Sequence, residues 1–144
     1  MILIFQTGIP FTPSLASPVA NTGTGSRPNR VGDASLPNPN LTQWFNTALD
    51  TAGAPWTTPA LYTFGNAGRG ILRSPGRTNV DFSIFKEFPI TERIKLQWRS
   101  EFFNIFNHPQ FDLPNTNVGT AVAGTISGTV GTPRDIQFGL RVVF

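Results

Sequence analysis

Three side chains of the kinds found in nucleophilic triads occur close together in the chain: Ser100, His108 and Asp112. That chemistry requires a nucleophile on a strained turn and a buried carboxylate that orients the histidine. Ser100 instead lies within a run of alternating apolar and polar residues, and His108 precedes Pro109 at the start of a polar segment. We therefore expect no hydrolytic triad, and we interpret His108 as a loop residue.

A second candidate is the carboxylate pair Asp81 and Glu101, which lie on two neighbouring segments, as the two acids of a glycoside hydrolase could. Lys95 and Arg99 accompany them, which favours a network of surface charges over an acid and base pair. The chain has no Cys and one His, too few ligands for a thiolate or histidine metal site. We expect no catalytic residue, no cofactor, no metal and no enzymatic activity.

Glycine and arginine residues cluster further upstream. The segment Gly65–Gly70 is rich in glycine, but no Gly-Lys-Ser/Thr follows it, so a surface turn is favoured over a phosphate-binding loop. Arg69, Arg73 and Arg77 either remain solvated or bind lipopolysaccharide phosphates, since the arginine fork matches phosphate geometry. Further along the chain, Phe residues alternate with charges and therefore lie on the opposite strand face. Nucleic-acid binding is not expected, because it needs aromatic and basic side chains on the same face.

The composition narrows the class of protein. With 144 residues, 13% of them charged, and a net charge of +3, the chain suits one domain or part of a larger one. It is too apolar for a disordered tail, and it lacks the roughly 18 consecutive apolar residues of a membrane-spanning helix. No Lys or Arg precedes Arg27, and Gln6, Gly8 and Pro10 interrupt the apolar start. Residues 1–11 are therefore predicted to form a strand and not a secretion signal.

Residues 12–77 are dominated by Gly, Pro, Asn, Ser and Thr, which predicts one very long loop. Loops of this length are uncommon in compact domains and indicate a functional loop or a linker. Within it we expect a short helix over Leu41–Leu49, with Asn40 as its N-cap. Trp44 and Trp56 either stack on a ligand such as a sugar or pack within the loop, and packing is favoured.

After Arg77 the residues alternate between apolar and polar types, as in β-strands, where successive side chains point to opposite faces. The predicted elements are a strand at 78–88, a turn at 89–93, a strand at 94–107, a loop at 108–133 and a final strand at 134–144. The apolar positions carry even numbers throughout. A hairpin preserves that parity only if paired residue numbers add to an even sum. A three-residue connection at Ile90–Glu92 gives an even sum and pairs Pro89 with Arg93, so we expect Glu87 to face Lys95.

Two environments fit this alternation: a soluble β-sandwich, or a barrel with lipid outside and a polar lumen inside. The nine residues from Ile136 to Phe144 span about 27 Å, or roughly 20 Å of bilayer at a tilt of about 40°. One short connection lies between long ones, as in barrels with short periplasmic turns and long extracellular loops. These features favour the barrel. The alternative is a soluble sandwich module that binds carbohydrate through Trp44 and Trp56.

The terminal segment Ile136–Phe144 resembles the last strand of bacterial outer-membrane β-barrels, whose final Phe and alternating apolar residues signal to the barrel-assembly machinery. Five further segments resemble, in the expected order, the C-terminal end of TonB-dependent receptors of the Oar-like type: Thr7–Phe11, Trp44–Thr47, Phe64–Arg69, Asp81–Lys86 and Glu101–His108. The resemblance implies an all-β fold, a partial antiparallel transmembrane β-barrel of about four C-terminal strands with long extracellular loops. It also implies an outer-membrane location and a role, driven through TonB, in uptake of a large or scarce solute or in surface binding.

The resemblance and the alternation assign three sets of residues. The barrel-assembly signal comprises Ile136, Phe138, Leu140, Val142 and Phe144. The lipid-facing set comprises Val80, Phe82, Ile84, Ile94, Leu96 and Trp98. The lumen-facing polar set comprises Asp81, Lys95, Gln97, Arg99, Glu101, Gln137 and Arg141.

The family's plug, TonB-contacting segment and secretion signal are not recognisable in this sequence. We therefore expect a C-terminal fragment of a receptor that does not transport alone, because four strands cannot close a barrel in lipid. The implied partners are outer-membrane lipid, the barrel-assembly machinery and, through other parts of the receptor, TonB. The turn at 89–93 is expected to be periplasmic, and the loops at 12–77 and 108–133 are expected to be extracellular.

Overall fold

The computed structural model describes residues 1–23 and 25–144 of the chain. It contains ten β-strands: β1 (Ile2–Gln6), β2 (Pro10–Phe11), β3 (Ser14–Leu15), β4 (Asn29–Arg30), β5 (Trp56–Thr57), β6 (Leu72–Arg73), β7 (Arg77–Pro89), β8 (Lys95–Phe103), β9 (Asn117–Val118) and β10 (Asp135–Val143). Among the described residues, no helix is long and apolar enough to cross a membrane. The predicted all-β fold is confirmed.

The chain divides into two compact units. The sheet unit comprises Met1–Thr7, Gly76–Gln110 and Thr129–Phe144, and the loop unit comprises Gly8–Pro75 and Phe111–Gly128. The strand predicted over residues 1–11 is therefore interrupted, with β1 in the sheet unit and β2 in the loop unit.

Four antiparallel strands form the sheet unit in the order β1-β7-β8-β10. The bounds of β7 and β10 lie within one residue of the predicted strands at 78–88 and 134–144. Strand β8 is shorter than the predicted 94–107 and ends at Phe103. The extended backbone stops there because Asn104 adopts a left-handed conformation, with φ of 48°.

The hairpin of β7 and β8 keeps the predicted parity but not the predicted register. The pairing of Glu87 with Lys95 is wrong: Glu87 faces Gln97, whose Nε2 donates a hydrogen bond of 2.7 Å to the Glu87 carboxylate. The turn covers residues 90–94 and is closed by a hydrogen bond of 2.9 Å from the Ile90 N–H to the Ile94 carbonyl. This longer turn moves the pairing by two residues, which leaves each side chain on its predicted face.

The loop unit has a hydrophobic core of its own, although its composition predicts a structureless loop. Six buried residues form this core: Phe11, Ala34, Phe45, Trp56, Ala67 and Val118. Three short ladders cross the unit, β2 with β6, β4 with β5, and β3 with β9. The last ladder is parallel and joins two parts of the chain that are about a hundred residues apart in the sequence.

The helix predicted over Leu41–Leu49 is wrong, since this segment consists of bends and irregular residues, with an isolated β-bridge at Leu49. Asn40 still caps the first turn, because its Oδ1 accepts a hydrogen bond of 2.9 Å from the Gln43 N–H. The helix does not form because backbone groups of the segment bond to distant parts of the loop unit. The Trp44 N–H, for example, donates to the Gly124 carbonyl at 2.8 Å. Tertiary hydrogen bonds here override a weak local preference.

Candidate functional site

One face of the four-stranded sheet, called the apolar face below, is formed by the even-numbered residues of β7, β8 and β10. Because directly paired residues point to the same side of a sheet, two ladders, β7 with β8 and β8 with β10, align these residues in rows. All but three members are apolar, the exceptions being Thr78, Lys86 and Ser100. The apolar members are Val80, Phe82, Ile84, Phe88, Leu96, Trp98, Phe102, Ile136, Phe138, Leu140 and Val142. Leu3 and Phe5 of β1 extend the face through their pairing with β7.

The strand residues of the predicted lipid-facing and assembly-signal sets therefore lie on one surface. Only Ile94 and Phe144 fall outside the strands, immediately beyond β8 and β10. Much of this surface is exposed, with Phe138 at 71% and Leu140 at 68% of full exposure. A contiguous exposed apolar area of this kind indicates contact with lipid or with another protein surface. In a soluble sandwich it would be covered by a second sheet.

The opposite face, called the polar face below, carries the odd-numbered residues of the same strands. It includes all seven members of the predicted lumen-facing set: Asp81, Lys95, Gln97, Arg99, Glu101, Gln137 and Arg141. Two aromatic residues that the alternation did not predict, Phe85 and Phe103, also lie here. The Arg99 guanidinium lies 5.4 Å from the centre of the Phe85 ring and bonds to the Glu101 carboxylate. This cation–π and ion-pair arrangement keeps Phe85 among polar neighbours.

Asp81 and Glu101 are not an acid and base pair, because each carboxylate is engaged separately. Glu101 pairs with Arg99, while Asp81 Oδ1 accepts hydrogen bonds from Asn79 Nδ2 and from the Asn104 N–H, both at 2.9 Å. Within residues 1–23 and 25–144, no group of three or more His, Cys, Asp or Glu side chains could hold a metal ion. Of the predicted charge network, the described residues contain the Arg99–Glu101 ion pair, while Asp81 is bonded to two asparagines.

An open depression of about 470 Å³ lies beside Gly139. Gly139 pairs with Arg99, and a Cβ added at Gly139 would have the Arg99 Cβ as its nearest neighbour, at 3.9 Å. Phe85 and Arg141 also line the depression. The missing side chain at Gly139 therefore exposes two arginines, of which Arg99 is already paired with a carboxylate.

Asn104 organises the end of the sheet unit where β8 stops, a role that alternation alone could not reveal. The residue is 6% exposed, and its Oδ1 accepts a hydrogen bond of 2.9 Å from the His108 N–H. Its Nδ2 donates to the carbonyls of His108 and Thr132, both at 3.2 Å. His108 is thus held by its backbone, while Ser100 is 1% exposed and its Oγ has no partner among the described residues. No triad forms.

A family model for the outer membrane beta barrel domain matches residues 1–137. The chain belongs to this family. Its location is the outer membrane, as predicted, and the exposed apolar face is that of a barrel domain and not of a soluble sandwich. The four strands of the described sheet do not close on themselves, since β1 and β10 are its edges. Comparisons with curated proteins and with solved structures gave no match.

The two tryptophans of the barrel domain's loop unit serve its packing. Trp56 is 0% exposed and its Nε1 donates a hydrogen bond of 2.7 Å to the Asn46 carbonyl. Trp44 Nε1 donates to the Arg73 carbonyl, also at 2.7 Å. The packing interpretation is therefore confirmed for Trp56, which has no free face for a sugar.

The glycine-rich segment of the barrel domain is a site of close backbone approach. A Cβ at Gly65 would lie 2.0 Å from the Arg27 carbonyl oxygen. Only glycine, which has no Cβ, avoids this clash. The Arg27 guanidinium in turn donates a hydrogen bond of 2.6 Å to the Ala67 carbonyl. Arg73 donates to the Gly8 carbonyl at 3.0 Å, so one member of the predicted phosphate-binding arginine set is engaged within the unit.

Two exposed carboxyls of the barrel domain's loop unit have lowered pKa values. Thr58 donates its hydroxyl and its N–H to Asp50, at 2.6 and 2.8 Å, and these bonds hold the Asp50 pKa below its ordinary range. The backbone and hydroxyl of Ser35 lower the pKa of Asp33 in the same way. Hydrogen bonds that favour the charged form explain both shifts. Both carboxylates stabilise turns.

Proposed function

We propose that the chain forms part of the wall of a TonB-dependent outer-membrane receptor, with the apolar face toward lipid and the polar face toward the lumen. The observation that carries the proposal is the separation of side chains across three hydrogen-bonded antiparallel strands, β7, β8 and β10. One face is exposed and apolar apart from Thr78, Lys86 and Ser100, and the other carries the remaining charges of these strands. Barrel strands alternate in this way because lipid and lumen make opposite demands on neighbouring residues.

The length of the strands supports the same placement. The thirteen residues of β7 extend over about 40 Å at roughly 3.3 Å per residue. Tilted by about 40°, they cover about 30 Å, enough for an apolar band of about 25 Å. In this placement the short turn at 90–94 is periplasmic. Both segments of the loop unit connect strand ends at the opposite end of the sheet and are therefore extracellular.

The narrower assignment to TonB-dependent receptors rests on the sequence resemblance, whose segments follow the expected order along the chain. By that resemblance the receptor takes up a large or scarce solute or binds at the cell surface, and it contacts TonB through parts of the receptor outside these 144 residues. The remaining partners are outer-membrane lipid and the barrel-assembly machinery, which would recognise the alternating residues that end in Phe144. The chain itself contributes wall, outer loops and the assembly signal. It acts as no enzyme.

The assembly role is tested by replacing the terminal aromatic residue. In a Gram-negative host, Phe144→Ser should reduce the fraction of protein that is inserted in the outer membrane and shows heat-modifiable mobility. Val143→Ser, at the neighbouring position on the polar face, is the matched control and should insert normally. Unchanged insertion of Phe144→Ser would contradict the assembly role. Crosslinking of the receptor to TonB in cells tests the narrower assignment, which a clean absence of crosslinks would contradict.

A further inference from the structure

Lys86 is the one charged residue on the apolar face of the described strands. It faces Trp98 of β8, which in turn faces Leu140 of β10, so it lies within a row of apolar side chains. The chain contains only two lysines, and the other, Lys95, lies on the polar face. A charged side chain on a lipid-facing surface is unfavourable unless its charged end reaches a polar group. We therefore expect the Lys86 ammonium to contact a polar or anionic group.

The Lys86 side chain is directed toward the short turn. Its Nζ lies 5.9 Å from the centre of the Phe88 ring, and Phe88 is the next residue of the apolar face in the direction of residues 90–94. Lysine stems commonly lie along apolar surface in this way while the ammonium reaches the membrane boundary. The cation–π contact holds the stem in that direction.

No carboxylate of the sheet is available to this ammonium. The acidic residues of β7, β8 and β10 are all on the polar face: Asp81, Glu87, Glu101 and Asp135. Among the described residues, the ion pairs are Arg30 with Asp33 and Arg99 with Glu101, and neither includes Lys86. Lys86 therefore has no ion-pair partner among the described residues, and the surroundings of the apolar face can supply one.

The depth of Lys86 fits a group at the edge of the bilayer. One complete row of apolar side chains separates it from the turn, namely Phe88, Leu96 and Val142. A row is two residues, or about 6.6 Å along the strand, and about 5 Å along the membrane normal at a tilt of about 40°. A four-carbon stem can cross such a row.

We propose that Lys86 binds the phosphate of a phospholipid headgroup in the periplasmic leaflet, while Phe88 and Trp98 contact the adjoining acyl chains. The inference rests on the proposed orientation of the apolar face toward lipid. The phosphate is the anionic group of that region, and an ammonium donates short, charge-assisted hydrogen bonds to its oxygens. Phe88 would position the stem and the lipid would neutralise the charge.

Solid-state NMR tests this contact directly. Protein with ¹⁵N-labelled lysine side chains is purified from outer membranes and reconstituted, in buffer free of phosphate, into vesicles of phosphatidylethanolamine and phosphatidylglycerol. All phosphorus in the sample then belongs to lipid. The ³¹P-induced dephasing of each lysine nitrogen is measured, and the signals of Lys86 and Lys95 are identified by their loss in Lys86→Met and in Lys95→Met.

We expect the Lys86 nitrogen to be dephased by phosphorus and the Lys95 nitrogen to be unaffected. Absent dephasing at Lys86, or equal dephasing at both lysines, would overturn the inference. A second measurement, the maleimide labelling of single cysteines, distinguishes failure of the Lys86 contact from failure of the proposed function. If a cysteine at position 138 is shielded from a water-soluble maleimide while one at 137 reacts, the lipid-facing assignment stands whatever the phosphorus result. If both react equally, the two proposals fail together.

Discussion

Replacement of Asn104 by alanine should destabilise the sheet unit more than any other single change at the end of β8. The substitution removes the three side-chain hydrogen bonds to the backbones of His108 and Thr132. It also places a residue with a Cβ but no local hydrogen-bonding group at φ of 48°. Asn tolerates that left-handed conformation better than alanine does.

The magnitude follows from these losses. Each hydrogen bond contributes a net of about 0.5–1.5 kcal/mol, and the left-handed backbone disfavours alanine by about 1 kcal/mol. Two of the bonds are long, at 3.2 Å, which places the expected loss of unfolding free energy near the lower part of that range, at about 3 kcal/mol. Asn104→Gly loses the same bonds without the backbone penalty and should be about 1 kcal/mol less destabilising.

Urea unfolding of the protein reconstituted in phospholipid vesicles measures these differences through the transition midpoint and slope. Asn107→Ala is the matched control, because Asn107 has φ of 50° but accepts only one hydrogen bond, from the Arg134 N–H, and is exposed. The Asn104 variant should lose about 1–2 kcal/mol more than the Asn107 variant. Equal losses for the two variants would show that the backbone conformation, and not the buried hydrogen bonds, determines stability at this position.

Three further predictions concern the two faces and the loop unit. Phe138→Lys should cost about 2–4 kcal/mol of unfolding free energy, whereas Gln137→Lys should be nearly neutral, and similar losses would contradict the assigned faces. Ser100→Ala should leave stability unchanged or raise it by about 1 kcal/mol, since the buried hydroxyl has no partner; a clear loss would reveal one. The folded pKa of Asp50 lies below its usual 3.8, so its stabilising effect is present above that pH and is lost as the pH falls through the lowered value. Limited proteolysis against pH should show this loss, and Thr58→Val, which keeps only the backbone hydrogen bond to Asp50, should make the loss smaller.

The sequence was most informative where one physical rule governs every second residue. The alternation after Arg77 predicts which residues share a face, and the parity rule correctly carries that assignment across the β7–β8 hairpin. The register was not predictable, because Glu87 and Lys95 look like good partners while the five-residue turn determines the pairing. The positions that break the alternation, Phe85 and Lys86, were also missed, and each is explained only by a neighbour in space, Arg99 and Phe88.

The loop unit shows what composition cannot reveal. Its ladders are two residues long and join distant positions, such as Ser14 with Asn117, so they leave no periodic pattern in the sequence. Its core depends on isolated residues such as Phe45 and Trp56, set among Gly and Pro. The helix expected after Asn40 fails for the same reason, because distant backbone groups compete for its hydrogen bonds. Local rules describe the strands of this protein better than its loops.

The orientation of the sheet is tested most directly by spin labels along β10. The chain has no Cys, so each residue from 135 to 143 can carry a unique cysteine and label. In outer-membrane preparations, we expect labels at even positions to be accessible to oxygen in lipid, and labels at odd positions to be accessible to a water-soluble nickel chelate. Accessibility should alternate with a period of two. Uniform accessibility, or the reverse alternation, would contradict a barrel wall with its apolar face in lipid.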